Sequence, residues 1–383
     1  MRVALLGATG ETGTSILNGL LASTDPKYEI TALIRPSSLQ KPEIHDLEKR
    51  GVRIASVDLG GPEDEITKQL TGHEVVISAI VAEGIMDQIP LANAAKTAGV
   101  PRFVPCFFGT VMPARGMLWL RDKVRPGRQP TPPPPPLSAL LNPDPGLLTC
   151  VTQKEDVLNH VQTLYLPYTV IDVGWWYQIS LPRLPSGKIN AVASPFPDWI
   201  AGDGTVLSGM TDLRDIGKYV ARIIADPRTL NQKVFAYTEL LSQNDVYGLV
   251  ERLSGERVER EYVSPRQPTS RMSFWQSGRP RWSAEDMESR LDEAKNDEAN
   301  IHKLSVLQYR KSWGLRGDNT PEYARYLGYQ IGKDLYPDLV GNSFEDFCKE
   351  ALECKVKPIY EKKRQEAIAA AAAANAKDKV AEN

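Results

Sequence analysis

The chain has 383 residues, of which 42% are hydrophobic and 25% charged, and its formal net charge is −2. This balance is typical of a soluble globular protein and disfavours nucleic acid or an anionic membrane as a partner. No apolar run approaches the roughly 20 residues of a membrane helix, no signal peptide is recognisable, and no Cys/His spacing fits zinc, so we expect a cytoplasmic protein without a metal site.

A strand, a glycine turn and a helix follow one another at the start of the chain. Residues 2–6 (RVALL) are apolar, GATGETG comes next, and apolar residues then recur with helical spacing. Glycines in such a turn allow a tight bend, a close approach of the backbone to a pyrophosphate, and packing of the helix on the strand. The phosphates would lie at the positive end of the helix. We therefore predict a dinucleotide site at Gly7, Thr9, Gly10, Glu11, Thr12 and Gly13.

Apolar segments alternate with helical ones along the rest of the first half. Strands are predicted at 28–34, 52–57, 74–80 and 103–107, and a helix at 90–98. This alternation predicts an α/β fold with an NAD(P)-binding, Rossmann-type, doubly wound parallel sheet. Asp58 follows the third strand, where it would touch the adenine edge, and Ser78 and Ala79 end the fourth, beside the nicotinamide half of the cofactor.

Arg35 lies at the end of the second predicted strand, directly after residues 28–34. An NAD-preferring site places Asp or Glu there for the ribose 2′-hydroxyl, whereas a guanidinium favours a 2′-phosphate. We therefore predict NADP(H) rather than NAD(H) as the cofactor. The alternative interpretation of Arg35 is a solvated surface arginine.

Four segments together resemble the NmrA-like and isoflavone reductase-like family of atypical short-chain dehydrogenases/reductases: VALLGATGETG, ITALIRP, LANAAKTAGVPRFVPCFFG and LPYTVI. Segments at 211–235, 241–263 and 326–338 also resemble that family. We expect a dinucleotide-binding domain over 1–175, a smaller α/β substrate lobe over 176–360 with short strands around 188–193 and 205–208, and an Ala/Lys-rich tail at 361–383.

The resemblance also implies a catalytic residue. Reductases of this family have a lysine at the start of the helix that leads into the Pro-Tyr-Thr strand, and Lys154 is the matching residue here. By this resemblance Lys154 contacts the cofactor and exchanges a proton with the substrate while the nicotinamide carries the hydride. From the residues alone, a lysine beside Glu155 and Asp156 at a helix start is a solvated charge.

Two departures from the family pattern change the expected pocket. The family's Ser-Glu-Phe-Gly is replaced by residues 106–109 (CFFG), and its Asn after the Pro-Tyr-Thr strand is replaced by Gly174. We predict a more apolar and aromatic substrate pocket, although packing in the core is the alternative for these aromatic residues. The predicted pocket residues are Phe108, Trp175, Trp176 and Tyr177.

A proline-rich block, residues 124–153, ends directly before Lys154. Without it the sequence would continue as WLRDKKEDVLNHVQ, an uninterrupted helix start. The block begins with Val, whose codons start with GT, and ends with Gln, which CAG encodes, so we favour a translated intron. A regulatory loop, and docking of residues 130–136 to an SH3 or WW domain, are the alternatives. We predict that the chain binds NADPH but turns substrate over poorly, and that removing the block restores activity.

The predicted function is that of an NADPH-dependent oxidoreductase that reduces a small aromatic or conjugated metabolite by hydride transfer, with Lys154 as proton donor or acceptor. The alternative is a non-catalytic NmrA-like regulator that senses NAD(P). Lys154 favours the enzyme, because a sensor has no need of it.

Overall fold

The structure is a computed structural model that describes residues 1–80, 82–113, 150–194, 199–263 and 308–361. Most of the proline-rich block and residues 362–383 of the predicted tail lie outside the described residues.

The strands and helices are given in chain order and numbered within the described residues. The strands are β1 (Arg2–Leu6), β2 (Glu29–Ile34), β3 (Arg53–Ser56), β4 (Val75–Ser78), β5 (Arg102–Val104), β6 (Thr169–Asp172), β7 (Trp175–Trp176), β8 (Trp199–Ala201), β9 (Ser208–Thr211), β10 (Gln232–Phe235), β11 (Glu239–Leu241), β12 (Glu261–Val263) and β13 (Tyr329–Ile331). The helices are α1 (Glu11–Ala22), α2 (Pro42–Lys49), α3 (Glu63–Leu70), α4 (Gln88–Thr97), α5 (Cys150–Thr163), α6 (Ile216–Ala225), α7 (Gln243–Ser254), α8 (Pro321–Tyr326), α9 (Gly332–Leu335) and α10 (Phe344–Leu352).

The large sheet is parallel and is covered by helices on both faces. Its first part has the order β3-β2-β1-β4-β5. Along β1, Val3 and Leu5 pack in one core with α1, α2 and α6, whereas Ala4 and Leu6 pack in the other with α3, α4 and α5. This alternation of buried residues is that of a strand covered on both faces. The predicted α/β fold with a doubly wound parallel sheet is confirmed.

The sheet continues with strands from the second half of the chain. A parallel bridge between Phe103 and Tyr168 joins β5 to β6, and β10 and β13 extend the parallel sheet beyond β6. Residues beyond the predicted boundary at 175 thus return to the first sheet. The division into domains at this residue stays a prediction.

A smaller sheet forms the remainder of the second half. Its order is β11-β9-β7, with β9 antiparallel to β11 and parallel to β7, and β8 pairs with β12 beside it. The helices α7 and α10 pack on this part in a separate hydrophobic core. Of the helices in the described ranges, none combines the length and hydrophobicity that a membrane span requires.

The strand predicted around 188–193 was wrong, the one predicted around 205–208 lies three residues later as β9, and β5 ends earlier than predicted. Residues 188–193 form consecutive turns, in which the Asn190 backbone N–H donates to Gly187 O and its side chain accepts from the Leu184 N–H. The strands lie instead at β8 and β9. Strand β5 ends at Val104 because Pro105 follows, and the Phe107 N–H donates to the Pro105 carbonyl rather than to a strand.

Helices α1 and α6 cross at two glycines. A Cβ added at Gly217 would lie 1.9 Å from Ser15 O and 2.9 Å from Gly19 N, and the Gly217 N–H donates to Ser15 Oγ at 3.1 Å. The two backbones therefore approach more closely than any side chain permits. This contact fixes α6 on the helix that follows the glycine turn.

We expect Gly217→Ala to lower the free energy of unfolding by about 2–4 kcal/mol, because its Cβ meets backbone atoms that cannot move independently. The matched control is Gly248→Ala in α7, where an added Cβ has no atom within 4 Å. That change is expected to raise the free energy of unfolding by up to about 1 kcal/mol, since alanine favours a helix. Urea unfolding of both variants measures the difference, and equal effects would contradict the account of the crossing.

Candidate active site

The glycine turn between β1 and α1 is held against the end of β4. Gly7 has φ +83°, and a Cβ there would lie 2.3 Å from Ala79 O; a Cβ on Gly13 would lie 1.9 Å from Gly7 O. The Ala79 N–H donates to Leu6 O at 2.9 Å, which keeps the ends of β1 and β4 together. Gly7 and Gly13 are therefore required by the protein's own packing.

Gly10 differs from these two glycines. An added Cβ would have ordinary contacts, the closest being Gly7 O at 3.4 Å, and the residue is exposed. Gly10 is the N-cap of α1, and no side chain caps this helix, so the N–H groups of its first turn lack intrahelical partners. Open space beside such N–H groups fits the phosphates of a dinucleotide. Thr9 is exposed and Thr12 half-buried at this turn, and the Glu11 carboxylate accepts from the Tyr360 N–H at 2.9 Å.

We expect Gly10→Ala to weaken NADPH binding by about tenfold, because the methyl group occupies space that the phosphates need. The free energy of unfolding should change by no more than about 0.5 kcal/mol, since φ is −79° and nothing is displaced. Gly13→Ala is the contrasting variant and should lose both binding and stability. Fluorescence titration together with urea unfolding checks this, and unchanged NADPH affinity in Gly10→Ala would contradict it.

Arg35 lies directly after β2 and is exposed. The Asp87 carboxylate at the start of α4 lies close enough to Arg35 for the two charges to interact. Burial raises the pKa of Asp87, and the positive charge of Arg35 opposes that rise. Sequence reasoning did not predict this neighbour, because the two residues come from separate loops that only the parallel sheet brings together.

The other predicted cofactor residues lie at the same edge of the sheet. Asp58 follows β3, is exposed, and accepts from the Gly60 N–H at 3.0 Å. Ser78 ends β4, and its buried hydroxyl has no hydrogen-bond partner in the described part of the chain. Because the carboxyl ends of parallel strands meet at one edge, these residues and the glycine turn lie together at the edge where open α/β sheets bind ligands in a crevice. Within the described ranges, no group of His, Cys, Asp and Glu is arranged to hold a metal ion.

Lys154 is half-buried on α5 and reaches the loop of residues 107–109. Its Nζ donates to the Phe107 carbonyl at 2.5 Å and lies 5.7 Å from the centroid of the Phe107 ring. This loop follows β5, so Lys154 lies at the carboxyl edge that also carries the glycine turn. The helix begins at Cys150, which means that the last four residues of the proline-rich block, 150–153, are helical.

The loop beside Lys154 has a strained backbone. Phe108 has φ +36°, a region that costs about 1–3 kcal/mol for a residue other than glycine. Its N–H donates to Ile171 O at 2.9 Å, and its carbonyl accepts from Trp176 Nε1 at 3.1 Å. Gly174, which departs from the family pattern, has φ +79°, and a Cβ there would lie 2.2 Å from Gly209 O. Close packing on β9 therefore requires glycine at this position.

A cavity lies in the second half of the chain, between β7, β9 and α7. The rings of Trp175 and Trp313 are 5.2 Å apart at one side of it. Aromatic and polar side chains share the lining: Trp175, Ser208, Gln243, Tyr247, Arg310 and Trp313.

The other three predicted pocket residues lie elsewhere. Phe108 is buried in the core of the large sheet, and Trp176 packs at the edge of that core. Tyr177 is fully buried in the core of the smaller part, where its hydroxyl donates to Glu239 Oε2 at 2.8 Å and its ring packs edge-on against Phe344. The structure thus brings Trp175 to the cavity and places Phe108 and Tyr177 in cores, which was the alternative interpretation of these aromatic residues.

Comparison with known proteins identifies the family. The profile of the NmrA-like family matches residues 1–119. The chain is 43% identical to asnovolin J 5′,6′-dehydrogenase of Aspergillus novofumigatus over 358 residues, which covers 92% of this chain and 96% of that protein. It is 30% identical to a bifunctional pinoresinol-lariciresinol reductase of Thuja plicata over 278 residues, covering 69% and 79%. The chain belongs to the NmrA-like, isoflavone reductase-like family.

Solved structures of this family's reductases share the fold. The complex of leucoanthocyanidin reductase with NADPH from Vitis vinifera superposes with a TM-score of 0.66 at 23% identity, covering 92% of this chain and 99% of that one. A crystal structure of isoflavone reductase gives a TM-score of 0.64 at 21% identity, covering 91% and 98%. These structures show the fold, and the 43% identity to the Aspergillus novofumigatus protein confirms the family resemblance of the sequence.

One residue near Lys154 was not predicted from the sequence. Asp172 ends β6, a strand that is otherwise buried and mostly apolar, and it lies beneath the 107–109 loop. A carboxylate in such a strand was a signal that could have been recognised, because burying a charge is costly unless it is paired.

Proposed function

We propose that the protein is an NADPH-dependent oxidoreductase that acts on a small aromatic or conjugated metabolite, with Lys154 as proton donor or acceptor. The observation that carries the proposal is the position of Lys154, half-buried at the edge of the sheet that also carries the glycine turn. In a parallel α/β sheet this edge is where ligands bind. The names of the relatives, a dehydrogenase and reductases, support redox chemistry.

The crevice offers groups for each part of a dinucleotide. The first turn of α1, open beside Gly10, suits the pyrophosphate, and Arg35 suits a 2′-phosphate. The unpartnered hydroxyl of Ser78 lies where the nicotinamide half is expected. The cofactor supplies or accepts a hydride when bound. Leucoanthocyanidin reductase has been solved with NADPH, and a second protein of similar fold has been solved with NADP+ and (+)-pinoresinol, which supports NADP(H) here.

Lys154 supplies the complementary proton step. A hydrogen bond to the Phe107 carbonyl favours the ammonium form of the amine, which is the form that donates a proton. During reduction Lys154 would protonate the substrate atom that becomes electron-rich, and during dehydrogenation it would remove that proton. A fixed amine at this loop restricts the reaction to substrates whose oxygen or carbon reaches it.

The lining of the cavity supports the substrate class. The tilted rings of Trp175 and Trp313 supply apolar surface, and the Ser208 hydroxyl, which accepts from Asn319 Nδ2, can donate its proton to a substrate oxygen. Trp175 follows Gly174, whose N–H donates to Gly109 O at 2.8 Å, so one backbone hydrogen bond links the strand that lines the cavity to the Lys154 loop.

The test is NADPH fluorescence titration followed by turnover against conjugated aromatic carbonyls. It compares the full chain with a chain lacking 124–153 and a chain lacking 124–149, which keeps the helical residues 150–153. We expect all three to bind NADPH, and a shortened chain to turn substrate over faster than the full chain. Equal turnover would overturn the proposed effect of the block. Binding without turnover in any chain would instead favour the non-catalytic sensor.

A further inference from the structure

Asp172 is a buried carboxylate at the carboxyl end of β6, with 3% of its surface exposed. The Tyr329 hydroxyl donates to its Oδ2 at 2.8 Å, and the Gly109 N–H approaches its Oδ1 at 3.4 Å. Burial of a carboxylate costs several kcal/mol unless positive charges or donors compensate it. Two neutral donors offset only part of this cost, so the charges around Asp172 determine whether it is ionised.

Three titratable groups face Asp172 from three different elements. Lys154 comes from α5, Lys233 from β10 and Tyr329 from β13. Burial raises the pKa of Asp172 to about 6, and the positive charges of Lys154 and Lys233 and the hydrogen bonds oppose that rise. At neutral pH the carboxylate is therefore mostly ionised. Lys233 also lies over the Tyr329 ring, with its Nζ 5.6 Å from the centroid, whereas Lys154 is at the loop of the proposed reaction.

Asp172 and Lys154 contact the same three-residue loop. Lys154 Nζ donates to the Phe107 carbonyl, and a Cβ on Gly109 would lie 3.8 Å from that Nζ. The Gly109 N–H points to Asp172. The Phe107 carbonyl at one end of the loop thus accepts from the amine, and the Gly109 N–H at the other end donates to the carboxylate.

We propose that Asp172 is a positioning residue that keeps the Lys154 amine protonated and fixes the 107–109 loop on which that amine rests. The proposal rests on the proposed proton transfer by Lys154. Partial burial drives a lysine toward its neutral form, and a nearby negative charge opposes this. With Asp172 ionised, Lys154 stays charged and can donate a proton after hydride addition. When Asp172 is protonated at acidic pH, this support is lost.

The test is competitive acetylation of lysines across a pH series, read by mass spectrometry on the full chain. It compares the natural protein with Asp172→Asn, which removes the charge but keeps the shape, and with Tyr329→Phe, which keeps the charge but removes a hydrogen bond. The exposed Lys27 is the internal reference. In Asp172→Asn we expect the pH at which Lys154 reaches half its limiting reactivity to fall by about one unit or more, with a smaller change in Tyr329→Phe.

An unchanged midpoint in Asp172→Asn, or an equal shift in Tyr329→Phe, would overturn the proposal. Asp172→Ser is the second variant if the Asp172→Asn protein does not fold stably. Acetylation requires no substrate, so the coupling of Asp172 to Lys154 is tested even if the proposed reaction fails. Where turnover is measurable, the basic limb of the pH profile of kcat/KM should move to lower pH by the same amount in Asp172→Asn.

Discussion

Replacing Lys154 with methionine is expected to lower kcat by about 10²- to 10⁴-fold, because the variant loses its proton donor while keeping an unbranched side chain of similar size. NADPH affinity should change much less, by about threefold, since the proposed sites of the phosphates and of the adenosine half do not include Lys154. Steady-state kinetics combined with fluorescence titration separates the two effects.

The matched control is Lys96→Met. Lys96 also donates its Nζ to a backbone carbonyl, that of Tyr165 at 3.1 Å, but it lies on the exposed surface of α4. Its replacement should leave kcat unchanged. Turnover by Lys154→Met at the rate of the natural protein would show that Lys154 takes no part in the reaction, whatever the cofactor affinity of the variant.

Replacing Arg35 with serine is expected to weaken NADPH binding by about 10- to 100-fold and to leave NADH binding within about threefold. A guanidinium bonded to a phosphate contributes about 1.5–3 kcal/mol, and NADH lacks the 2′-phosphate that would receive it. The preference for NADPH over NADH should therefore disappear. Titration of both nucleotides measures the ratio of their dissociation constants. Both titrations use the same ionic strength, because salt screens the contact between Arg35 and the phosphate.

Two further variants sharpen the test of Arg35. Arg50→Ser makes the same change of charge at the end of α2, where Arg50 donates to Asn18 Oδ1, and it should not alter the ratio. Asp87→Asn removes the acid that faces Arg35 and should strengthen NADPH binding modestly, by about threefold. If Arg35→Ser binds both nucleotides as the natural protein does, Arg35 is a solvated surface residue.

Local patterns in the sequence were enough to predict the cofactor half of the fold. The strand, glycine turn and helix at the start, and the strands that end near Ile34, Ser56 and Ser78, depend on short-range alternation and on glycine geometry. Their bounds moved by one or two residues, as expected for strand ends.

The second half of the chain could not be predicted in the same way. Short strands such as β8 and β9 have little periodicity of their own. They form by pairing with strands that are distant in sequence, and a local pattern does not reveal such partners. The same reason explains why the place of β10 and β13 in the large sheet was not predicted: β10 pairs with β6 and with β13, which are both distant in sequence.

The site shows the same distinction between local and distant information. Gly7 and Gly13 could be assigned from spacing, whereas the aromatic residues after Gly174 could not, because their direction depends on which face of a short strand is buried. Asp172 beside Lys154 comes from β6, and Asp87 near Arg35 comes from the start of α4, so these neighbours appear only when the parallel strands are aligned.

The measurement that tests the central claim most directly is transfer of deuterium from NADPH labelled at C4 to products of the conjugated carbonyl panel, followed by mass spectrometry. The account predicts a product that carries one deuterium from the cofactor, formed by the natural Lys154 chain or its shortened forms and strongly reduced by Lys154→Met. NADPH binding without deuterium in any product, in the full and the shortened chains alike, would contradict it and identify a protein that binds the nucleotide without using it.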